Sequence, residues 1–428
     1  MLKGHFDEAA GGSERLYNHI MFNIKVLNTM SQENRTLYIT DYCLTPGLKI
    51  PMSSILVEGE KILAIGGSSA FIMEPGLDVV NLEGNYAIPG MIDTHIHGAG
   101  GFDSSLAFEQ GADIGKMSRT LARHGTTSFI PTIISGSREN MIAAISSLIK
   151  MMNKPYDGAE PVGIHLEGPY LCKEKHGSQL EHDIRPIDLG EAREMISEGR
   201  RHIKIMTFAP ELENSIRLIE LLRENNITPS MGHSMADENS VNRAVDAGAH
   251  RVTHIFNGMP PLHQRAVGLT AIALTDDRIS IEIILDGTHL HPTMVDLSCK
   301  AKPKDRIIGV SDAIQAAGLH DGTYHIGDTS VEVRNGKATT SEGVLAGTTL
   351  MLERGLRHLM SFSHMESTDS AACMTINPAK SIGLTDRGEL SPGKLADISF
   401  CGTKTNNIRM VVSKGRIIFD SKNTSTDV

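Results

Sequence analysis

Five short segments of the sequence place a histidine or a carboxylate residue directly after a hydrophobic run. They are Asp93-Thr94-His95-Ile96-His97, His165-Leu166-Glu167-Gly168-Pro169, Met231-Gly232-His233-Ser234, Thr253-His254-Ile255-Phe256-Asn257 and Val310-Ser311-Asp312-Ala313. Imidazole and carboxylate ligands without cysteine suit zinc or a divalent first-row metal such as iron or manganese. The segments together predict a metal-dependent hydrolase.

The chemistry of these residue types indicates how the work would be divided among them. Glu167, His233 and His254 would hold a metal ion with one position open for water, which the ion acidifies. Asp312 is the candidate general base, and it would then pass the proton to the departing group. His95 and His97 are two residues apart, so at the end of an extended strand they point to the same side and both can bind one ion.

Each of these residues also has a purely structural interpretation. The chain has 19 histidines, so a pair spaced like His95 and His97 arises readily by chance. Glu167 could form a buried salt bridge, and His233 or His254 taken singly could be a hydrogen-bonded core histidine. However, a carboxylate at the end of a buried strand is costly unless it is paired or binds a metal. Two histidines in successive strand–helix units also favour the metal site.

Two further segments follow predicted strands and carry candidate substrate-binding residues. The first runs from Asn257 to Arg265, and the second runs from Asp286 to Pro292. Arg265 together with His289 would form an anion site, because a guanidinium group binds phosphate through two parallel hydrogen bonds. The alternative is a surface arginine and a structural histidine.

The middle of the chain alternates short apolar runs with helical patterns, which is typical of parallel βα units. The predicted strands are 86–92, 126–132, 162–166, 203–208, 228–232, 251–254, 280–285 and 307–311. The segment from Ala236 to Ala247 repeats apolar residues at helical spacing. Eight such units match a (β/α)₈ barrel, in which all strands end at one rim. A doubly wound sheet fits the periodicity equally well, but only closure brings the candidate ligands to one point.

Short strand-like runs separated by turn residues also occur towards both ends of the chain, as in an antiparallel sheet. They are 37–40, 54–57, 61–65, 396–400, 410–412 and 415–419. We therefore predict an α/β protein in three parts. Residues 1–35 form a polar appendage, a candidate disordered segment, while 36–85 and 380–428 form a small β-sandwich domain. Residues 86–379 form a TIM-like (β/α)₈ catalytic barrel.

The composition excludes several classes of protein. Of the 428 residues, 40% are hydrophobic and 21% are charged, as in an ordinary globular protein. A net charge of −10 argues against nucleic acid as a partner, and no apolar window reaches the roughly 20 residues of a membrane helix. No signal peptide is expected, because the first apolar stretch is interrupted by polar residues. Five cysteines without a CxxC pattern are typical of reduced thiols, so we expect a cytoplasmic location.

Taken together, these segments resemble the N-acetylglucosamine-6-phosphate deacetylases of the amidohydrolase superfamily. The resemblance runs from about Leu37 to Ile418 and rests on PGMIDTHIHG, HLEGPYL, GHSMA, THIFNGMPPLHQR, DGTHLHP, VSDA, LAGT, NPA and GKLADI in the family order. It implies that Glu167, His233 and His254 are the principal metal ligands. It implies that Asp312 is the catalytic acid/base.

The resemblance also implies a second metal position. His95 and His97 fall where members of the family differ. Members that keep both histidines can hold a second ion bridged by the carboxylate, and members that lack them use one. This chain keeps both, so one or two divalent ions per chain are expected.

The resemblance further implies substrate contacts and a partner. The residues at substrate-contacting positions are Ser178, Gln179, Asn257, Gly258, Arg265, His289, Leu345, Ala346 and Gly347. In the family, the arginine and the histidine of the DGxH segment reach the phosphate from a neighbouring subunit. The resemblance therefore implies a homodimer in which Arg265 and His289 act across the interface.

The sequence departs from the family pattern around the substrate. Gly177-Ser178-Gln179 stands where Gly-Ala-His is usual, and Gln264 stands where a second histidine is common. Ala266-Val267-Gly268 replaces the usual Glu-Pro-Gly. The metal-binding and acid/base residues are intact while the substrate contacts have changed, so hydrolysis is better supported than the particular sugar.

The expected function is metal-dependent deacetylation of N-acetylglucosamine 6-phosphate, or a close N-acetylhexosamine 6-phosphate, in amino-sugar catabolism. The products would be acetate and the amino-sugar phosphate. The alternative enzyme is an amidohydrolase for another N-acyl sugar phosphate, such as N-acetylgalactosamine 6-phosphate. The alternative from another class is a non-catalytic barrel scaffold, which should lose metal ligands first, whereas every candidate ligand is present here.

Overall fold

The computed structural model describes residues 35–71 and 77–423. The predicted appendage at residues 1–35 lies outside the described residues except for Arg35, which begins the first strand. The described chain builds two large sheets, one parallel and one mostly antiparallel.

Four strands open the described chain. They are β1 (Arg35–Thr45), β2 (Leu48–Glu58), β3 (Lys61–Gly67) and β4 (Asp78–Pro89). β1, β2 and β3 pair in antiparallel fashion, as the apolar runs and intervening turn residues predicted, while β4 runs parallel to β1.

The middle of the chain contributes the strands of the parallel sheet and three short strands. They are β5 (Met91–Ile96), β6 (Gly98–Ala99), β7 (Phe102–Asp103), β8 (Thr126–Ile134), β9 (Glu160–Pro161), β10 (Ile164–Glu167), β11 (Ile203–Phe208), β12 (Thr228–Met231), β13 (Arg251–Val252), β14 (Ser280–Ile284) and β15 (Ile307–Val310). Eight of them pair in parallel in the order β5, β8, β10, β11, β12, β13, β14, β15, and the two-residue β9 adds to this sheet by pairing in parallel with β8. β15 meets β5 at the rim, where Asp312 N donates to His95 O at 3.0 Å and His97 N donates to Ala313 O at 2.8 Å. The predicted barrel is confirmed, and the doubly wound alternative is wrong.

The first predicted strand, 86–92, is wrong as a single element. Its first half belongs to β4, and its second half begins β5. Gly90 lies between them, and a Cβ there would lie 2.1 Å from Thr127 Oγ1, so the chain passes close to β8 as it changes sheet. A continuous apolar run cannot reveal this change, because both halves are buried.

Helices cover the outside of the barrel and connect its strands. The described helices are α1 (Ile114–Arg123), α2 (Arg138–Met152), α3 (Leu189–Gly199), α4 (Ser215–Glu224), α5 (Glu238–Ala247), α6 (Leu269–Thr275), α7 (Pro292–Ala301), α8 (Leu352–Phe362), α9 (Ser367–Met374) and α10 (Ile376–Ser381). α5 matches the helix predicted from Ala236 to Ala247. The Asp237 side chain accepts a hydrogen bond from Ser240 N at its start, Gly248 ends it with a φ of 111°, and its apolar face is buried.

A three-stranded antiparallel sheet follows β15 and was not predicted. Its strands are β16 (Gly322–Ile326), β17 (Thr329–Arg334) and β18 (Lys337–Thr339). Val331 and Val333 of β17 pack with Ile134 at the end of β8. The insertion therefore lies over the rim where the barrel strands end.

The C-terminal strands return to the first sheet. They are β19 (Ile398–Gly402), β20 (Ile408–Ser413) and β21 (Arg416–Asp420), and the sheet order is β21-β20-β19-β4-β1-β2-β3. The prediction that both chain ends build one β-domain is confirmed. Its seven strands form one continuous hydrogen-bonded sheet. The domain limits stay a prediction, with one difference: β4 remains in this sheet as far as Pro89. Within the described residues, no helix combines the length and the apolar character that crossing a membrane requires.

Candidate metal centre and active site

The rim of the barrel brings together the six residues predicted to carry the chemistry. His95 and His97 lie at the end of β5, Glu167 ends β10, and His233, His254 and Asp312 follow β12, β13 and β15; all six are buried. His233, His254 and Asp312 have left-handed backbone φ values of 46°, 26° and 50°. Such a conformation costs about 1–3 kcal/mol at a residue other than glycine and is concentrated at functional sites.

Glu167, His233 and His254 form the first group of candidate ligands. Glu167 Oε1 lies 3.2 Å from His233 Nε2 and 3.0 Å from His254 Nε2. The two Nε2 atoms are 3.1 Å apart. Three electron-rich atoms therefore face one point, which is the arrangement that a divalent cation stabilises.

His95, His97 and Asp312 form the second group. Asp312 Oδ1 lies 3.3 Å from His95 Nε2 and 3.0 Å from His97 Nε2. Glu167 Oε1 lies 3.5 Å from His95 Nε2, and Glu167 Oε2 lies 3.7 Å from His97 Nε2. Glu167 thus stands between the two groups: its Oε1 faces His233, His254 and His95, and its Oε2 faces His97.

Hydrogen bonds on the far side of two rings turn the ligating nitrogens inwards. His233 Nδ1 donates to Lys175 O at 2.6 Å, and His95 Nδ1 donates to Glu282 Oε2 at 2.9 Å. His95 Nε2 is buried and has no hydrogen-bond partner among the described residues. A ring whose Nδ1 carries the proton offers the lone pair of Nε2 to a metal. These residues therefore fit a divalent ion.

The electrostatics of the site also favour a cation. Burial alone raises the pKa of Asp312, but the hydrogen bond with His97 and the nearby His95 outweigh it, so the net shift is downward. The pKa of Glu167 is likewise held well below its usual value, because the histidines outweigh the effect of burial. Burial lowers the pKa of His95, yet Glu282 and Glu167 raise it to about 10. Ionised carboxylates thus surround a position that draws positive charge.

His165, which lies in one of the five segments, is not among the converging residues. Its Nδ1 lies 3.2 Å from Thr132 Oγ1 and its Nε2 lies 2.8 Å from Thr207 Oγ1. Both ring nitrogens are therefore occupied by threonines of the barrel interior. His165 is a hydrogen-bonded core histidine, which is the structural alternative that the sequence also allows for His233 and His254.

A cavity of about 240 Å³ opens above the two groups. Its walls contain seven of the nine predicted substrate-contacting residues: Ser178, Gln179, Asn257, Gly258, His289, Leu345 and Gly347. Ala346 is fully buried behind the wall, where its N–H donates to Ala338 O at 3.2 Å. Arg265 is exposed outside the cavity and forms no ion pair with a described residue.

His289 lies in the wall of the cavity that its own chain forms, and its Nδ1 donates to Asp286 Oδ2 at 2.8 Å. The DGxH turn after β14 therefore faces the rim of its own barrel. The predicted actions of His289 and Arg265 across a subunit interface stay predictions.

Gln179, where the family usually has histidine, contacts the Glu167 carboxylate, a candidate metal ligand, directly. Its Nε2 donates to Glu167 Oε2 at 3.0 Å, and its Oε1 accepts from Ser135 N at 3.0 Å. The side chain is buried, so these bonds hold it in one orientation. Gln179 therefore orients Glu167 besides lining the cavity.

Several residues of the site were not identified from the sequence. Ile134, Ile284, Ile326 and Val344 form the apolar part of the cavity wall. Ile326 and Val344 come from the inserted sheet and the loop after it, and an isolated apolar residue there carries no signal. Glu282 did carry one, since it is a charged residue between Ile281 and Ile283 in a buried strand.

Gly258 gives a direct test of how closely the loop after β13 packs on the site. Its φ is +62°, and a Cβ there would lie 3.0 Å from His233 Nδ1. We expect Gly258→Ala to displace His233 and to lower the bound metal per chain. The matched control is Gly47→Ala, at φ +71° with no atom within 4 Å of the added Cβ. It carries the same backbone cost of about 1–2 kcal/mol. Equal metal content in the two variants would contradict the expectation.

The chain is similar to characterised proteins over most of its length. A sequence profile of the Amidohydrolase family matches residues 86–418. The N-acetylglucosamine-6-phosphate deacetylase of Bacillus subtilis (strain 168) is 38% identical over 339 residues, covering 78% of this chain and 85% of that protein. The N-acetylgalactosamine-6-phosphate deacetylase of Escherichia coli O157:H7 is 31% identical over 324 residues, covering 75% and 85%.

A solved structure agrees with the sequence comparisons. A variant of the Mycobacterium smegmatis N-acetyl-D-glucosamine-6-phosphate deacetylase, in complex with N-acetyl-D-glucosamine-6-phosphate, has a TM-score of 0.82 at 27% identity. The match covers 90% of this chain and 99% of that chain. The resemblance seen in the sequence segments is thereby confirmed. The chain belongs to the N-acetylglucosamine-6-phosphate deacetylase family of the amidohydrolases.

Proposed function

We propose that this protein hydrolyses the acetamide bond of N-acetylglucosamine 6-phosphate, or of a close N-acetylhexosamine 6-phosphate, to give acetate and the amino-sugar phosphate. The observation that carries the proposal is the convergence of Glu167, His233, His254 and Asp312 at the base of one cavity. The family to which the chain belongs supports the same chemistry.

The residues of the site take the following roles in this proposal. Glu167, His233 and His254 hold one divalent ion (zinc, iron or manganese), and His95 and His97 contribute to a second position. When bound, the ion acidifies a water molecule and polarises the carbonyl oxygen of the substrate. Gln179 keeps the Glu167 carboxylate oriented through its bond to Oε2.

Asp312 moves the proton. Its ionised carboxylate takes a proton from the attacking water and donates it to the amide nitrogen as the carbon–nitrogen bond breaks. His97 Nε2, 3.0 Å from Asp312 Oδ1, keeps the carboxylate directed at the reacting atoms. The water oxygen forms the new bond to the acetyl carbon, the amine leaves neutral, and the acetic acid product releases its remaining proton to solvent to become acetate.

The cavity walls hold the substrate. Asn257, Gly258, His289, Leu345 and Gly347 line the cavity, and we assign the first three to contact with the sugar phosphate. We assign Ser178 to the wall beside the sugar, and Ala346 to the support of the loop rather than to contact. Ile326 and Val344 exclude water from the reacting bond.

Two epimers of the acetyl-hexosamine phosphate are candidate substrates. The relative from Escherichia coli O157:H7 is named for the galactosamine substrate, and this chain has Gln179 where the family usually has histidine. N-acetylgalactosamine 6-phosphate is therefore the second candidate substrate. Acetate release should be measured with both phosphorylated epimers and with unphosphorylated N-acetylglucosamine, alongside metal analysis of the same preparation. Release from neither phosphorylated sugar by metal-loaded protein would reject the proposed function.

We further propose a homodimer in which Arg265 completes the partner's phosphate site. Arg265 lies outside its own cavity, and Leu262 and Val267 beside it are exposed hydrophobic residues, 43% and 40% accessible. An exposed loop with apolar side chains and an unpaired guanidinium group suits a subunit interface in which the guanidinium contacts an anion in the partner's site. We also propose a cytoplasmic location, which is supported by five cysteines that are all free thiols in the described residues.

Mixing two impaired variants at low substrate concentration tests the role of Arg265. Arg265→Ala is expected to raise KM for phosphorylated substrate, because a charged two-point contact is lost. When Arg265→Ala chains exchange with Asp312→Asn chains, each hybrid dimer should regain one complete site. Free exchange would restore about a quarter of all sites. Activity equal to the sum of the separate variants, despite demonstrated hybrid formation, would contradict an interface role.

A further inference from the structure

We propose that Glu282 is a positioning residue which decides whether the second metal position can be filled. Glu282 is fully buried in β14. It does not line the cavity, and it belongs to neither of the two ligand groups. The inference rests on the proposed metal-dependent function, but it concerns metal capacity and is tested by metal content. Failure of the deacetylase assay would therefore not be confused with failure of this proposal.

One carboxylate oxygen of Glu282 connects the two ligand groups. Its Oε2 accepts from His95 Nδ1 at 2.9 Å and from the backbone N–H of His254 at 3.1 Å. His95 belongs to the second group and His254 to the first. β14 thus supplies one shared hydrogen-bond acceptor for two candidate ligands that are far apart in the sequence.

The bond to His95 decides which nitrogen of the ring can bind a metal. Because a carboxylate only accepts hydrogen bonds, His95 Nδ1 must carry the proton. When the ring binds a cation, the lone pair must therefore come from Nε2, which lies 3.3 Å from Asp312 Oδ1 and 3.5 Å from Glu167 Oε1. The opposite tautomer would place a proton on Nε2 and block coordination.

Arg251 holds Glu282 in the orientation that this requires. Arg251 is only 1% exposed, and its Nε donates to Glu282 Oε1 at 2.8 Å. Its other nitrogens donate to Thr94 Oγ1 at 2.7 Å and Ser381 Oγ at 2.6 Å. One oxygen of Glu282 is therefore occupied by arginine, and the other is left for the metal ligands.

A purely structural role does not explain this division. A buried ion pair adds little net stability compared with apolar residues of similar volume. Arg251 and Glu282 would satisfy each other without either metal group. Instead, Oε2 accepts hydrogen bonds from His95 and His254. The Arg251–Glu282 ion pair therefore fixes the orientation of one candidate ligand in each group.

Glu282→Gln tests the proposal, because the amide cannot satisfy both sides. If its oxygen faces His95, its NH₂ group faces the Arg251 donors. If its NH₂ group faces His95, Nδ1 must accept and the proton moves to Nε2. We expect the metal content after dialysis against a low concentration of zinc to fall from two ions per chain to one. Affinity for the second ion should weaken by about 10–100-fold, as for other partners of metal-bound histidine.

Two comparisons separate positioning from folding. His95→Ala should lose the same ion, and the double variant with Glu282→Gln should lose no more than His95→Ala alone, because both changes act through one ring. The matched buried carboxylate is Glu160, which accepts from Arg387 Nη1 at 2.8 Å and Lys414 Nζ at 2.7 Å away from the rim. Glu160→Gln should lower the unfolding temperature without changing the metal content.

A second variant guards against misfolding of the first. Glu282→Asp keeps the charge opposite Arg251 but withdraws the carboxylate from His95 by one methylene, so it too should lose the second ion. The proposal is overturned if folded Glu282→Gln or Glu282→Asp protein retains two ions with native affinity. It is also overturned if the native protein binds only one ion at saturating zinc, because Glu282 would then have no second position to control.

Discussion

Replacement of Asp312 by asparagine is expected to lower kcat by about 10²–10⁴-fold, the usual contribution of a positioned acid/base. Asparagine has the same shape and can still contact His97, but it cannot take the proton from water or return it to the leaving amine. Substrate contacts come from other residues of the cavity, so KM should change little.

Steady-state kinetics with the phosphorylated acetyl-hexosamine that the enzyme prefers, and metal analysis of the same samples, check this expectation. Asp237→Asn is the matched control, because Asp237 caps α5 at the surface and asparagine is an equally good cap. It should retain native kcat. Near-native turnover of the Asp312 variant, with its metal content intact, would show that another group transfers the proton.

Glu167→Gln is expected to cause the largest loss of metal among the single substitutions of the site. Its two oxygens face both ligand groups, at 3.0–3.2 Å from the first and 3.5–3.7 Å from the second. A neutral amide removes the negative charge that both positions share. The loss of affinity should exceed the about 10–100-fold effect of changing a residue that only supports a ligand.

His95→Ala should be milder, because His95 serves only the second position. Metal content per chain near two in the native protein, near one in His95→Ala and below one in Glu167→Gln is the expected series. Activity should fall in the same order. A content near one in both the native protein and His95→Ala would reject the second position and leave the first intact.

The local pattern of the sequence was sufficient to locate the ends of most barrel strands. Strands 126–132 and 203–208 begin at the predicted residues. A strand buried on both faces has a largely apolar run rather than an alternating pattern, and such a run is visible in the sequence. The candidate ligands lie at the ends of other strands of the same barrel, namely β5, β10, β12, β13 and β15. Their types and places along the chain therefore indicated a metal-dependent hydrolase before any contact between them was known.

Other features depend on which distant segments meet. The apolar run 86–92 gives no sign that the chain changes sheet at Gly90, since the reason is the close approach of Thr127. Likewise, β16 and β18 are short and mostly exposed, and although Val331 and Val333 of β17 alternate with exposed residues, only the packing of this sheet on Ile134 places Ile326 in the cavity wall.

The sequence by itself determined the residue types at the strand ends, which predicted a divalent metal site with Asp312 as acid/base and indicated the family. The tertiary structure decided which of these side chains share a point: His165 turns to two threonines, whereas His95 turns to the candidate metal centre. It also placed His289 in its own chain's cavity and Arg265 outside it. The physical reason is that the sequence of a strand determines only which of its side chains share a face and where the strand ends. Their partners, such as Glu282 for His95 across 187 residues, are assigned only when the barrel closes.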